Sequence, residues 1–280
     1  MTERWRQSPG EEARQAMAVT HDGPPLSRWT LRAIQATFPW LHAYTLSGVW
    51  RVLERYHLRL RSARARLFSP DPDYALKVAH LCDCLPSAAA TPERVVLLFM
   101  GEMGYNRWPE PAPDWGAAPP EPAPVAERAG PNNQQWRTIG VLNALTGQVN
   151  YLDGYIVGRA KVIAMYRCVA DLYPQAERIY VVQDNWSIHQ HPEVLAALAE
   201  WPRIEGVWLP TYAPWLNPIE KLWRWLRQDV LKMHRLAADW EQLKHRVYAF
   251  LDQFAHGSQD LLRYVGLLGD GLLARALRTT

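Results

Sequence analysis

The order of apolar and amphipathic segments after residue 94 constrains the fold more than any other feature of this sequence. Residues 95–100 (VVLLFM) and 178–183 (RIYVVQ) are short apolar runs, typical of strands buried on both faces. Residues 137–145 and 148–157 are predicted to form two strands joined by a tight turn, and residues 204–209 to form one more.

Amphipathic helices are predicted between and after these strands. Their predicted ranges are 158–173, 192–201, 217–233 and a last helix from about Asp239 onward. A hairpin followed by alternating helices and strands predicts an α/β fold, a mixed sheet covered by helices. The ribonuclease-H-like fold has this order of elements, so we expect that architecture.

The composition narrows the class of protein. The chain has 280 residues, of which 48% are hydrophobic and 21% charged. These fractions are typical of globular proteins and exclude a chain that is disordered over its whole length. No run reaches the roughly 18 apolar residues that a membrane span needs, and the first residues lack the apolar part of a secretory signal. Cys82, Cys84 and Cys168 suit a reducing compartment better than a disulfide scaffold. We therefore expect a cytoplasmic protein with no membrane partner.

The first quarter of the chain is basic. Residues 1–70 carry eleven arginines against five acidic residues. Short helices are predicted at residues 28–38, with Ser27 as the capping residue, and at residues 46–57. Two such helices with a basic second helix are typical of a helix-turn-helix DNA reader, although a solvated charged face remains an alternative. The predicted DNA-binding residues of this segment are Arg51, Arg55, Arg59, Arg61, Arg64 and Arg66.

These patterns predict a division of the chain into five segments. They are a flexible tail (1–25), a partial helix-turn-helix segment (26–70), a linker (71–92), an α/β catalytic domain (93–256) whose proline-rich loop spans 109–135, and a helical C-terminal tail (257–280).

Two carboxylates are candidates for chemistry. Asp184 directly follows the predicted strand 178–183, at the kind of strand end where α/β proteins gather functional groups. It also fits an Asp-Asn turn. Glu220 lies in the first turn of the predicted helix 217–233, where it suits a capping box begun by Asn217. The alternative is that Glu220 faces Asp184 and shares Mg²⁺ with it, since that ion takes a few carboxylates and completes its shell with water.

The surrounding residues resemble a known family. VVQDNWSIH (181–189) and LPTYAPWLNPIEKLW (209–223) are similar to the second and third catalytic motifs of DDE-superfamily transposases, with the closer likeness to the mariner-related group of bacterial insertion sequences. The resemblance implies a ribonuclease-H-like catalytic domain behind helix-turn-helix units, and cleavage and strand transfer of DNA with two Mg²⁺ or Mn²⁺ ions. It also implies double-stranded DNA as partner (element ends and a TA target), a homodimer on DNA, a nucleoid location in bacteria and no small-molecule substrate.

Carried over residue by residue, the resemblance makes Asp184 the second metal-binding carboxylate and Glu220 the third. The family has an aspartate followed by a glutamate at the end of the first strand. This chain has FMGEMGYN at residues 99–106, so that Gly101 replaces the aspartate and Glu102 matches the glutamate. Because glycine has no side chain to bind a metal, we predict weakened metal binding and impaired catalysis.

Several residues could supplement this site. Glu102 and Asp153 are candidate replacements for the missing aspartate, although strand alternation directs Glu102 to the opposite face unless a bulge intervenes. His189 matches the family's histidine after the Asp-Asn pair and could orient a phosphate or water. Lys221 and Arg224 are candidates for contact with DNA phosphates.

Two other functions remain open on the sequence alone. One is a non-catalytic DNA-binding remnant or a domesticated regulator descended from a transposase. The other is an unrelated cytosolic α/β protein in which Glu220 only caps a helix.

Overall fold

The computed structural model describes residues 29–60, 68–118 and 121–277. The chain divides into two compact units, residues 1–66 and 67–280, and each is described by itself. Among the described residues, no helix has both the length and the apolar character needed to cross a bilayer. The predicted flexible tail, residues 1–25, lies outside the described residues.

The first unit contains two short helices, α1 (Leu31–Thr37) and α2 (Leu46–Arg55). The hydroxyl of Thr30 accepts a hydrogen bond from the backbone of α1, and Thr45 caps α2 in the same way. The helix predicted from residue 28 therefore begins at Leu31, because Thr30 is its capping residue. The apolar faces of the two helices form a small core of Ile34, Phe38, Leu41, Val49 and Leu53.

The second unit is built on one five-stranded sheet. Its strands are β1 (Val95–Asn106), β2 (Gln135–Asn143), β3 (Val149–Gly154), β4 (Arg178–Gln183) and β5 (Ile204–Trp208). They lie in the order β3-β2-β1-β4-β5. β2 is antiparallel to both of its neighbours, β1 and β3, whereas β4 runs parallel to both β1 and β5. This is the mixed sheet that the order of segments predicts.

Helices cover both faces of the sheet. They are α3 (Tyr74–Ala90), α4 (Arg159–Leu172), α5 (Pro192–Leu198), α6 (Ile219–Leu226), α7 (Trp240–Asp252), α8 (Gln259–Val265) and α9 (Leu272–Leu277). Helix α6 continues through a wider, π-helical turn at Arg227–Leu231. Residues of α3 and α6 to α9 pack on one face, and residues of α4 and α5 on the other. The side chains of β1 alternate between the two cores, as those of a buried strand must.

Two predicted segments are parts of the core rather than connections. The predicted linker 71–92 forms helix α3, in which four residues at helical spacing are at most 2% exposed. These are Leu81, Cys84, Leu85 and Ala88. The predicted tail 257–280 forms α8 and α9, whose apolar residues pack into the same core. Both segments carry an apolar stripe that is stable only when it is covered, which explains why they join the sheet.

The proline-rich segment predicted over 109–135 connects β1 to β2, and β2 takes its last residue, Gln135. Arg107 anchors the start of this connection by donating hydrogen bonds to the carbonyls of Ala237 and Ala238. Glu110 pairs with Arg227, next to the π-helical turn.

Candidate active site at the ends of β1 and β4

The register of the two central strands places positions 101 and 184 side by side. Phe99 of β1 pairs with Val182 of β4, so two residues further along each parallel strand the chain reaches Gly101 and Asp184. Phe99 and Val182 face the core that contains α6. Since side chains alternate along a strand, positions 101 and 184 are directed to that same side.

Asp184 begins a turn that folds the chain back toward β1. Its carboxylate accepts a hydrogen bond from the backbone N–H of Trp186 at 3.0 Å, and the N–H of His189 donates to the carbonyl of Trp186 at 2.9 Å. Asn185 ties the turn to the end of β5 by donating to the carbonyl of Leu209. Asp184 is therefore both a turn residue and a strand-end carboxylate, with a side chain 61% exposed.

The start of α6 is tied to β1 through Asn217. Its side-chain amide donates to the carbonyl of Met100 at 2.9 Å. The prediction that Asn217 caps the helix is wrong, because α6 begins at Ile219 without a side-chain capping hydrogen bond. Glu220 is accordingly not the reciprocal partner of a capping box, and its carboxylate lies toward β1 instead.

Asp184 and Glu220 line the same cleft, a cavity of about 490 Å³ whose wall also includes Trp186, Thr211 and Asn217. Burial raises the pKa of Glu220 to about 7, and the negative charges of Glu102 and Asp184 add to this rise. These two neighbours are also close to each other, since a ligand atom of Glu102 and one of Asp184 lie within 4.8 Å.

The space beside Gly101 is filled by α6. A Cβ atom at Gly101 would lie 2.7 Å from Cγ2 of Ile219, 3.2 Å from Oε1 of Glu220 and 3.3 Å from Nε1 of Trp223. The ring of Trp223 also lies over Gly140, the cross-strand partner of Gly101. An aspartate side chain at position 101 would therefore not fit unchanged, because Ile219 and Trp223 pack onto the two glycines.

Glu102 points to the other face of β1, as strand alternation predicts, and meets His189 there. Its Oε1 lies 2.9 Å from Nε2 of His189, whose side chain is 1% exposed. Nδ1 of the same ring lies 3.9 Å from Oδ1 of Asp184 and has no hydrogen-bond partner among the described residues. One ligand atom each from Glu102, Asp184 and His189 lies within 4.8 Å of the others. This pairing of Glu102 with His189 could not be predicted from either motif.

Asp153 is engaged elsewhere. Its carboxylate accepts a hydrogen bond from the indole of Trp136 at 2.6 Å and another from the hydroxyl of Tyr248. It lies on β3, two strands away from β1. The structure thus does not bring Asp153 to the site, and it serves to hold α7 against the sheet.

The predicted DNA contacts fall into three groups. Lys221 donates to the carbonyl of Val265 at 2.8 Å and so helps to fasten the end of α8, whereas Arg224 is exposed. In the first unit Arg51, Arg55 and Arg59 are exposed on or just after α2. Arg61, Arg64 and Arg66 lie outside the described residues.

The donor atoms of the cleft fit a divalent cation. Asp184 and Glu220 line it, and the buried Nδ1 of His189, which has no hydrogen-bond partner among the described residues, lies 3.9 Å from Oδ1 of Asp184. Carboxylate oxygens suit Mg²⁺ and Mn²⁺, and an imidazole nitrogen suits Mn²⁺ and its heavier neighbours.

Residues 96–244, more than half of the chain, match the family model of the DDE superfamily endonucleases. The chain belongs to this superfamily. The resemblance found in the two motifs is confirmed, and the hypothesis of an unrelated α/β protein is excluded.

The chain is also similar to individual proteins of the insertion-sequence and mariner group. It is 30% identical over 112 residues to the "Insertion element IS630 uncharacterized 39 kDa protein" of Shigella sonnei, which covers 40% of this chain and 33% of that protein. The chain thus aligns with about a third of the length of that curated relative.

Solved structures of the Mos1 mariner transposase have the same fold. Its paired-end complex with Mn matches with a TM-score of 0.64 at 16% identity, over 99% of this chain and 78% of that chain. Its strand transfer complex matches with a TM-score of 0.64 at 14% identity, over the same shares. The predicted ribonuclease-H-like fold class is confirmed.

Proposed function

We propose that this chain is an insertion-sequence transposase that cuts double-stranded DNA at the element's ends and joins those ends to a TA target, with catalysis weakened by Gly101. The observation that carries the proposal is that Asp184 and Glu220, the matches to two of the family's three carboxylates, line one cleft. The protein would act as a homodimer on DNA, at the nucleoid of a bacterial cytoplasm.

Asp184 and Glu220 would hold Mg²⁺ or Mn²⁺. A divalent cation bound there would activate the attacking water or 3′-hydroxyl and stabilise the leaving oxygen. Asn217 positions Glu220 by tying the start of α6 to β1. Without a cation, the carboxyl group of Glu220 is partly protonated near neutral pH, since its pKa is about 7. It must release that proton to bind the metal.

The proposed impairment has two physical causes. Gly101 supplies no oxygen to the cation, so one family ligand is missing. Ile219 and Trp223 fill the space beside it, so that a solvent molecule has little room to replace that oxygen. The filled space is also the observation that favours the second candidate, a non-catalytic DNA-binding remnant or domesticated regulator.

A cleavage assay separates these functions. The substrate is duplex DNA that carries the inverted repeats flanking the gene, with Mg²⁺ or Mn²⁺ added. The proteins compared are the unaltered chain, Asp184→Asn, Gly101→Asp and the double variant Gly101→Asp/Ile219→Ala, in which removal of the Ile219 side chain makes room for the aspartate.

We expect weak or no cleavage by the unaltered chain and a gain of at least about tenfold in the double variant. Addition of Asp184→Asn to the double variant should abolish that gain. Strong cleavage by the unaltered chain would contradict the impairment. A folded, DNA-bound double variant that cannot cut would support the non-catalytic candidate instead.

A further inference from the structure

His189 is buried between two carboxylates, and its two ring nitrogens have different surroundings. Nε2 lies 2.9 Å from Oε1 of Glu102, a hydrogen-bond distance. Nδ1 lies 3.9 Å from Oδ1 of Asp184, which is too long for a hydrogen bond. Nδ1 is buried and has no hydrogen-bond partner among the described residues, so it is available to bind a ligand.

The partner of Nε2 determines what Nδ1 can do. Because an ionised carboxylate only accepts hydrogen bonds, Glu102 requires a proton on Nε2. In the neutral ring Nδ1 then carries a lone pair, and this nitrogen lies 3.9 Å from an oxygen of Asp184. Two acceptors that face each other at this distance are stabilised by a cation between them. Metal–ligand bonds of about 2.0–2.2 Å to nitrogen and oxygen are long enough to span the gap.

The turn after Asp184 holds the imidazole in this place. His189 donates its backbone N–H to the carbonyl of Trp186, and the Trp186 ring packs against the imidazole edge with centroids 5.7 Å apart. Oε1 of Glu102 lies 2.9 Å from the other ring nitrogen, Nε2, and so holds the ring from that atom. A carboxylate behind a histidine is the common means by which proteins orient a metal-binding imidazole.

We propose that Nδ1 of His189 is a metal ligand of this chain, which supplies the donor that Gly101 does not, and that Glu102 is its positioning residue. The site then has two carboxylates and one imidazole, Asp184, Glu220 and His189. Because imidazole binds first-row transition ions far better than Mg²⁺, the site prefers Mn²⁺, Co²⁺ or Zn²⁺ over Mg²⁺. This inference rests on the cation site of the proposed function, but its test needs neither DNA nor cleavage.

The test is Mn²⁺ binding to the full chain, measured by the loss of the free-ion signal in electron paramagnetic resonance. Pulsed electron paramagnetic resonance of the bound Mn²⁺ detects the coupling to a ¹⁴N nucleus when an imidazole nitrogen is coordinated. We expect that nitrogen coupling in the unaltered chain, and an affinity for Mn²⁺ at least about tenfold higher than for Mg²⁺ measured by competition.

Three variants separate ligation from a structural role. His189→Ala should remove the nitrogen coupling and weaken Mn²⁺ binding at least about tenfold. Glu102→Ala should weaken it by about tenfold, whereas Glu102→Gln, which keeps an oxygen to accept from Nε2, should restore most of the affinity. His245→Ala, an exposed histidine on α7, is the matched control and should change nothing. Circular dichroism verifies that each variant is folded.

Three results would overturn the inference: no nitrogen coupling in the unaltered chain, undiminished Mn²⁺ binding in folded His189→Ala, or no binding of any cation. The first would leave His189 as a hydrogen-bonded residue between two carboxylates. The proposed function can fail without this inference. If a metal with nitrogen coupling binds but no variant cleaves DNA, the proposed function is contradicted and His189 is still a metal ligand.

Discussion

The two faces of β1 near Gly101 differ in what the fold has placed against them. On one face, Ile219 and Trp223 close the space beside Gly101, and Oε1 of Glu220 lies close to it as well. On the other face, Glu102 meets a buried His189. Asp184 lies at the strand end next to both. Position 101 is therefore closed by its neighbours, whereas a carboxylate and an imidazole lie together one residue further along the same strand, on its other face.

The largest expected effect is a loss of metal affinity when Asp184, which lies beside both faces of β1, is replaced. Asp184→Ala should weaken Mn²⁺ binding more than about 100-fold, because it removes an oxygen ligand of the proposed cation site. Isothermal titration calorimetry measures the affinity, with Asp171→Ala, an exposed residue on α4, as control. If Asp184→Ala binds Mn²⁺ within threefold of the unaltered chain, the two faces do not share one cation.

The next effect tests how tightly the α6 face is closed. Gly101→Ala places a methyl group 2.7 Å from Cγ2 of Ile219 and should lower the free energy of unfolding by ~1–3 kcal/mol, the usual cost of overpacking. Gly104→Ala, further along β1, meets its nearest atom at 3.5 Å and should be close to neutral. Urea unfolding compares them. Equal stabilities for the two variants would show that α6 is not packed on Gly101.

A smaller effect appears in the pH dependence of stability. The pKa of Glu220 is raised from 4.5 to about 7 in the folded chain, so the folded state holds this proton more tightly than the unfolded state. Without metal, the free energy of unfolding should decrease as pH rises from about 4.5 to 7 and then level off.

Glu220→Gln, which stays neutral, should remove this decrease and stabilise the metal-free chain at pH 8 by ~1–2 kcal/mol, after allowance for partial exposure. Exposed Glu200→Gln serves as control. A pH profile that is the same with and without Glu220→Gln would place this carboxyl outside the acidic cluster.

The smallest expected effect is on DNA binding and compares the two basic side chains of α6. Arg224 is exposed, whereas Lys221 holds a carbonyl of α8. Arg224→Ala should weaken DNA binding and reduce the slope of its salt dependence by about 1, the value for one phosphate contact. Lys221→Ala should leave that slope unchanged and reduce stability. Fluorescence anisotropy at a series of salt concentrations measures the slope. A smaller slope for Lys221→Ala, with no change for Arg224→Ala, would show that Lys221 contacts DNA and Arg224 does not.

The sheet could be predicted because its signals are local. The apolar runs VVLLFM and RIYVVQ, and the glycine at position 147 in the β2–β3 turn, need no distant partner to specify strands and a turn. Helix α3 was predicted as part of a linker, although Leu81, Leu85 and Ala88 already have helical spacing. That spacing predicts an apolar face, but only the fold shows that this face packs against the sheet.

The site was only partly predictable. The position of Asp184 follows from a strand end, and the register of β1 and β4 brings position 101 beside it. The packing of Ile219 and Trp223 onto Gly101 depends on residues more than 100 positions away, and so does the bond from Asn217 to Met100. The meeting of Glu102 and His189 likewise depends on a turn whose direction is set by tertiary contacts. Gly101 and Gly140 lie opposite each other only through the register of β1 and β2, so the sequence alone gave no signal for the overlying tryptophan.

The most direct test of the account is a crystal of the chain grown with Mn²⁺ and measured at the manganese absorption edge. We expect one anomalous peak in the cleft, within bonding distance of oxygens of Asp184 and Glu220, with Nδ1 of His189 as the third protein ligand. A cleft with no peak at millimolar Mn²⁺, or carboxylates of Asp184 and Glu220 too far apart to share the ion, would contradict the account.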